Sequence, residues 1–120
     1  MSVLVHFSIF PLNRGEHLSQ YVARAVRVIR DSGLPYQLAA MGTTIEGEWQ
    51  EVMTVVERCY RELETDCDRI VIQMKMDCKR GPTGRMTGKV ASVEKKLSRD
   101  GRYGGMAPFH RGHGRHAALR

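Results

Sequence analysis

A chain of 120 residues, 42% hydrophobic and 27% charged, has room for one globular domain and can bury a core without disulfide or metal staples. No apolar run approaches the roughly 20 residues a membrane span needs, and the start, Met1 to His6, lacks the basic leader of a signal peptide. The formal charge of +6 belongs mostly to the tail: five arginines from Arg99 onward, against Asp100, hold +4 and leave +2 for residues 1–98.

Val3, Val5, Phe7 and Ile9 alternate with Leu4, His6, Ser8 and Phe10, and Pro11 closes the run, which predicts a strand. Leu18, Tyr21, Val22, Ala25 and Ile29 recur at helical spacing opposite Arg24, Arg27 and Arg30. Ser32-Gly33 ends that helix and Pro35 prevents its continuation. Tyr36 to Met41 and Thr43 to Glu48 read as a hairpin hinged near Gly42. Trp49, Val52, Met53, Val56, Tyr60 and Leu63 mark a second helix, with Trp49 expected to anchor it to the core and the end expected near Thr65-Asp66. Asp68 to Asp77 alternates as a fourth strand, with Ile70, Ile72, Met74 and Met76 expected in the core. Val90, Val93, Glu94 and Leu97 suggest a short third helix.

The order β-α-β-β-α-β plus a terminal helix is the split-βαβ plan, an α+β, ferredoxin-like fold with an antiparallel sheet and its two crossover helices on one face. The expected division is a ligand-binding domain over residues 1–98 and a Gly/Arg/His-rich tail over 99–120. The sheet's second face must meet water, a ligand or another subunit. Strand parity gathers Ser8, Thr44, Glu46, Gln73, Lys75 and Asp77 there. A solvated face with a Glu46–Lys75 ion pair explains such a band, as does subunit packing through Leu4, Phe10 and Val71. A small polar pocket explains it too, and its hydroxyl, amide and carboxylate groups suit a neutral or cationic heterocycle.

Thr43-Thr44-Ile45-Glu46-Gly47-Glu48-Trp49 resembles the T-x-[V/I]-E-G-[E/D] signature of the small thiamine-binding protein family, part of the YkoF-like superfamily. Ser8-Ile9-Phe10-Pro11, Ser32-Gly33-Leu34-Pro35-Tyr36, Lys75-Met76-Asp77, Gly88-Lys89-Val90 and Val93-Glu94 are similar to the family's other segments in the same order, so the likeness spans about residues 3–97. The cysteine usage leads us to expect a cytoplasmic protein, and the resemblance implies a homo-oligomer, a dimer or homotetramer built by sheet packing. It also implies non-catalytic binding of thiamine, or its hydroxymethylpyrimidine part, at the open sheet face near a subunit interface, with no cofactor required. Thr44 and Glu46 match the signature, and Ser8 and Asp77 match the strand ends beside it. Ser8, Thr43, Thr44, Glu46, Glu48, Gln73 and Asp77 are the candidate ligand-binding residues, and Tyr36, Phe10 or Trp49 could stack on a ring.

No G-x-S-x-G, Walker, H-E-x-x-H or paired-cysteine motif supports an enzyme. Cys59, Cys67 and Cys78 form an odd set without C-x-x-C spacing, which fits buried thiols in a reducing cytosol rather than a disulfide framework or zinc site. An RNA-binding sheet would carry aromatics on its central strands, whereas Thr43 to Glu48 has none and holds two acids. Only the tail could bind phosphates, so nucleic acid remains an alternative through that segment, beside a structural oligomer without ligand. The tail's His110, His113 and His116 could chelate a metal on a helix, but Gly105, Gly112 and Gly114 argue for a flexible arm.

Overall fold

The computed structural model describes residues 1–99, so the histidine series and most of the tail lie outside the described residues. It contains β1 (Ser2–Pro11), α1 (Ser19–Ser32), β2 (Tyr36–Ala39), β3 (Gly42–Gly47), α2 (Trp49–Glu64), β4 (Ile70–Lys79) and α3 (Arg85–Arg99). Two compact units divide the chain, one from Met1 to Thr83 and one that begins at Gly84 and holds α3. Within α3, Val90, Val93 and Leu97, the stripe that predicts the helix, are exposed.

The sheet of the first unit runs β2-β3-β1-β4, with every neighbouring pair antiparallel. That is the ferredoxin-like order the alternating strand and helix patterns lead to. Val3, Val5, Phe7 and Ile9 of β1 pack with Ile45, with Tyr21, Ala25 and Ile29 of α1, and with Val52, Val55, Val56, Cys59 and Leu63 of α2. Each of these side chains belongs to a strand alternation or a helical stripe, so one face of every element is spent on the same core.

The caps agree with the elements they bound. Gly33 takes φ +82° after α1, a left-handed conformation that costs a side-chain-bearing residue more, and its N–H donates to the Arg30 carbonyl at 3.3 Å. At the start of α2 the Glu51 carboxylate accepts the Glu48 backbone N–H at 2.8 Å, one half of a capping box.

Two expectations for the core are corrected. Trp49 is 52% exposed, because it occupies the first turn of α2 at the helix end, outside the Val52-Val56-Leu63 stripe. Ile72 and Met74 are 37% and 44% exposed, and only Ile70 and Met76 of that row pack against the core. The helices lie mainly over β1 and β3, whereas β4 is at the sheet's edge, where α2 reaches only part of it.

Arg24 ties α1 to the end of α2. Its guanidinium donates to Glu62 Oε2 at 3.1 Å, to the Glu62 carbonyl at 2.7 Å and to both Asp66 carboxylate oxygens at 2.9 and 3.0 Å. Arg14 adds a hydrogen bond to the Asp66 carbonyl. The bonds from Arg24 hold the Asp66 carboxyl below its ordinary value. A lowered folded-state value stabilises the fold above the unfolded carboxylate's pKa, and that contribution disappears as pH falls through the folded value. Asp66→Asn should therefore unfold at lower urea than the parent at pH 7, and the two midpoints should converge as pH drops from about 5 to about 2. A gap independent of pH would remove the ion pair as its cause.

The three thiols differ sharply. Cys59 is fully buried, its Sγ 3.5 Å from the Ala25 carbonyl, and burial pushes its pKa up to about 12. Cys67 is buried as well, while Cys78 is exposed. Native protein treated with a chromogenic disulfide reagent should show Cys78 reacting promptly, and the remaining thiols only after denaturation.

Candidate functional site

The strands flanking β1 are unequal. β4 pairs with β1 along its whole length, from Ser2↔Lys79 to Pro11↔Ile70. β3 pairs with it only from Val3↔Gly47 to Phe7↔Thr43, because β3 has six residues to the ten of β1. Beyond Phe7, no strand among the described residues lies on the β3 side of β1, and a cleft occupies that place. The cleft measures about 430 Å³.

One wall is β1 from Phe7 to Phe10, and α1 supplies a second through Leu18, Val22, Ala25, Val26 and Ile29. The hairpin from Leu38 to Thr43 forms the third, with Met41, 85% exposed, as its outermost side chain. Neighbouring residues of one strand point to opposite faces, yet Phe7, Ser8, Ile9 and Phe10 all line this space. That is possible only where the strand's edge is open, so the cleft wraps the edge of β1 and not one face of the sheet.

The lining is mainly aliphatic and aromatic, and its polar side chains are Ser8, Thr43 and Gln73. Among the described lining residues none is ionisable. Ser8 and Gln73 stand opposite one another on β1 and β4 and share the open face. Thr43 pairs with Phe7 instead, so it points to the helix side and is buried. The cleft thus offers two hydroxyls and one carboxamide, each able to donate and accept, among apolar walls.

The other sequence candidates lie elsewhere. Thr44 pairs across from His6, and Glu46 across from Leu4, which also faces Asp77. These three stand in rows on the sheet face turned away from α1 and α2, part of it buried at Leu4 and Glu46 rather than open as the sequence suggests, and they do not line the cleft. Glu46 is 2% exposed and accepts a hydrogen bond from Ser2 Oγ at 3.4 Å. Glu48 takes part in the cap of α2. His6 was among the outward-facing residues of the strand alternation but not among the candidates. Its Nδ1 lies 2.9 Å from Thr44 Oγ1, and Lys75 stands across from it on β4. The contact that sets His6 apart is a cross-strand one, invisible before the β1–β3 register is known.

Comparison with known proteins bears on what enters such a site. A family model described as thiamine-binding protein matches residues 5–94. A UPF0045 protein of Mycobacterium bovis is 49% identical over 100 residues, covering 82% of this chain and 98% of its own. One from Synechocystis is 35% identical, covering 78% of each chain. Among solved structures, the protein MJ1052 of Methanocaldococcus jannaschii superposes with a TM-score of 0.71 at 28% identity, over 77% of this chain and 95% of that one. A Thermotoga maritima protein whose description proposes a role in thiamine biosynthesis or salvage superposes with a TM-score of 0.64 at 29% identity, over 82% of this chain and 98% of that one.

Gly42 sets the corner where the cleft begins. A Cβ there would stand 2.8 Å from His6 Nε2 and 2.9 Å from the Phe7 carbonyl oxygen, and the backbone contact cannot be relieved by a side-chain rotation. Gly42→Ala should force β3 away from β1 at this point, lowering stability by about 1–3 kcal/mol in urea unfolding. A variant as stable as the parent would show that the two strands separate freely here.

Proposed function

This chain belongs to the thiamine-binding protein family, and on that premise we propose that it binds thiamine through the aminopyrimidine ring, in the cleft beside Ser8, Thr43 and Gln73, as a homo-oligomer and without catalysis. The observation that carries the reading is the meeting of three sequence candidates at one apolar cavity of about 430 Å³, within the range of small-ligand sites. Aminopyrimidine is flat, uncharged near neutral pH, and edged with an amine donor and ring-nitrogen acceptors. Two hydroxyls and a carboxamide complement that edge, and Phe10 with the α1 side chains offers apolar contact to the ring faces. The thiazolium, a cation, is left at the mouth beyond Met41, since the described lining holds no carboxylate to pair with it in the interior.

Loss of water contact by the ring supplies the affinity in this reading, and the polar trio supplies orientation. The family description names a binding protein, and storage, sensing or delivery of the vitamin all require reversible capture alone. Among the described residues, no helix is long and apolar enough to cross a membrane.

Titration calorimetry tests the site. Thiamine should give a saturable heat with the parent protein. Val22→Trp, at a partly exposed position on the α1 wall, should remove it while leaving the circular dichroism spectrum unchanged. Ser8→Ala and Gln73→Ala should each weaken binding about 5-fold, the worth of one hydrogen bond near 1 kcal/mol. Glu46→Gln should bind like the parent. Parent-like binding by Val22→Trp, or loss of binding in Glu46→Gln alone, would move the ligand out of the cleft and onto the open face.

A further inference from the structure

The sheet face turned away from α1 and α2 is ordered by charge. Beside the cleft stands the neutral pair Ser8 and Gln73, opposite one another on β1 and β4. One row further along, Gln37, Thr44, His6 and Lys75 stand side by side across all four strands. Beyond them Glu46 and Asp77 flank Leu4. Same-face positions of a strand lie about 7 Å apart, so the basic row begins within one side chain's length of the cleft. His6 and Lys75 are exposed, whereas Glu46 in the row behind is buried.

Two details turn the basic row toward the cleft. The imidazole of His6 leans over Gly42, which lines the cleft: a Cβ on that glycine would stand 2.8 Å from Nε2. The other ring nitrogen, Nδ1, lies 2.9 Å from Thr44 Oγ1. With Nδ1 accepting the Thr44 hydroxyl proton, Nε2 carries the ring N–H and is a donor beside the cleft's corner. Lys75, across from His6, has no ion pair among the described residues. The Glu46–Lys75 pair that residue types suggest is not made, the two standing in different rows.

We propose that this row is a phosphate subsite, so that the protein takes phosphate monoesters of its aminopyrimidine ligand in preference to the free alcohols. This rests on the cleft reading above and names the class of ligand the cleft takes. His6 Nε2–H and the Lys75 ammonium donate to the phosphate oxygens while the ring stays among the cleft's polar trio. The exposed position leaves the phosphate part of its water, so the charge is not desolvated in full. Glu46 and Asp77 repel an anion from the far side and confine it to the row beside the cleft. Two compounds present this chemistry: thiamine monophosphate, with the ester on its thiazolium arm, and hydroxymethylpyrimidine phosphate, with the ester one carbon from the ring.

Titration calorimetry on the full chain compares each ester with its own alcohol, thiamine or hydroxymethylpyrimidine. At least one ester should bind about 10-fold tighter than its alcohol, the worth of one charge-assisted hydrogen bond. The pair that shows the preference identifies where the ester is carried. Lys75→Met should bring that ratio close to one, and His6→Phe should lower it. Lys79→Met removes the same charge from the same strand face two rows away, and should keep the ratio. Equal affinities within both pairs would overturn the subsite and leave the cleft standing. So would a preference that survives Lys75→Met, or one lost equally in Lys79→Met, which makes it a matter of net charge. A parent that binds none of the four compounds, or binding that persists in Val22→Trp, would overturn the cleft reading and the subsite with it.

Discussion

Strand β1 carries the hydrogen-bonding framework of this molecule, and the rest of the first unit is arranged around its unequal neighbours. β4 matches it residue for residue, while the pairing of β3 ends at Phe7↔Thr43 and leaves the Ser8–Pro11 stretch without a strand on that side among the described residues. Backbone groups along a strand need partners or solvent, so a shortened neighbour leaves an opening that some other element must wall. Here α1 and the β2–β3 hairpin provide those walls, and the opening becomes a cavity. The site is a consequence of strand length before it is a matter of any one side chain.

Charge is distributed so as to leave that cavity neutral. Arg24 of α1, with Glu62 and Asp66 at the C-terminal end of α2, fastens the two helices to each other away from the cavity lining. The acids of the third strand and the helix that follows it are engaged elsewhere, Glu46 beside Ser2 and Glu48 at the α2 cap. An apolar cavity with a few neutral polar groups discriminates by shape and hydrogen-bond pattern, and buried charge would add a desolvation cost. The same economy appears on β4, whose two faces separate an apolar row from a mixed polar one.

Family membership and backbone superposition concern the body of the chain. The family model ends at residue 94, and the curated relatives from Mycobacterium and Synechocystis cover 82% and 78% of this sequence. The basic segment beyond Arg99 stands outside that match. The charge of +6 that first suggests nucleic acid is therefore mostly a property of the segment the family model does not reach.

Fold class and element order were legible from the sequence because each depends on periodicity, and periodicity is local. Alternation in Val3–Phe10, the stripe from Leu18 to Ile29 and the stop at Gly33-Pro35 each needed no distant partner to be read. The thiamine-binding likeness was legible for a related reason, since it rests on ordered short motifs. Burial on β4 was not legible: Ile72 and Met74 alternate like core residues, but an edge strand has too little helix above it to cover them. Trp49 misled in the same way, its helical spacing being correct and its place at the helix end leaving it outside the packed stripe. Thr43 and Thr44 are adjacent in sequence and face opposite sides of the sheet, so one lines the cleft and the other pairs with His6. The division of the candidates between the cleft and the open face was settled by where β3 begins relative to β1. That offset is a tertiary quantity, seen in the pairing register of β3 on β1, and no local pattern encodes it.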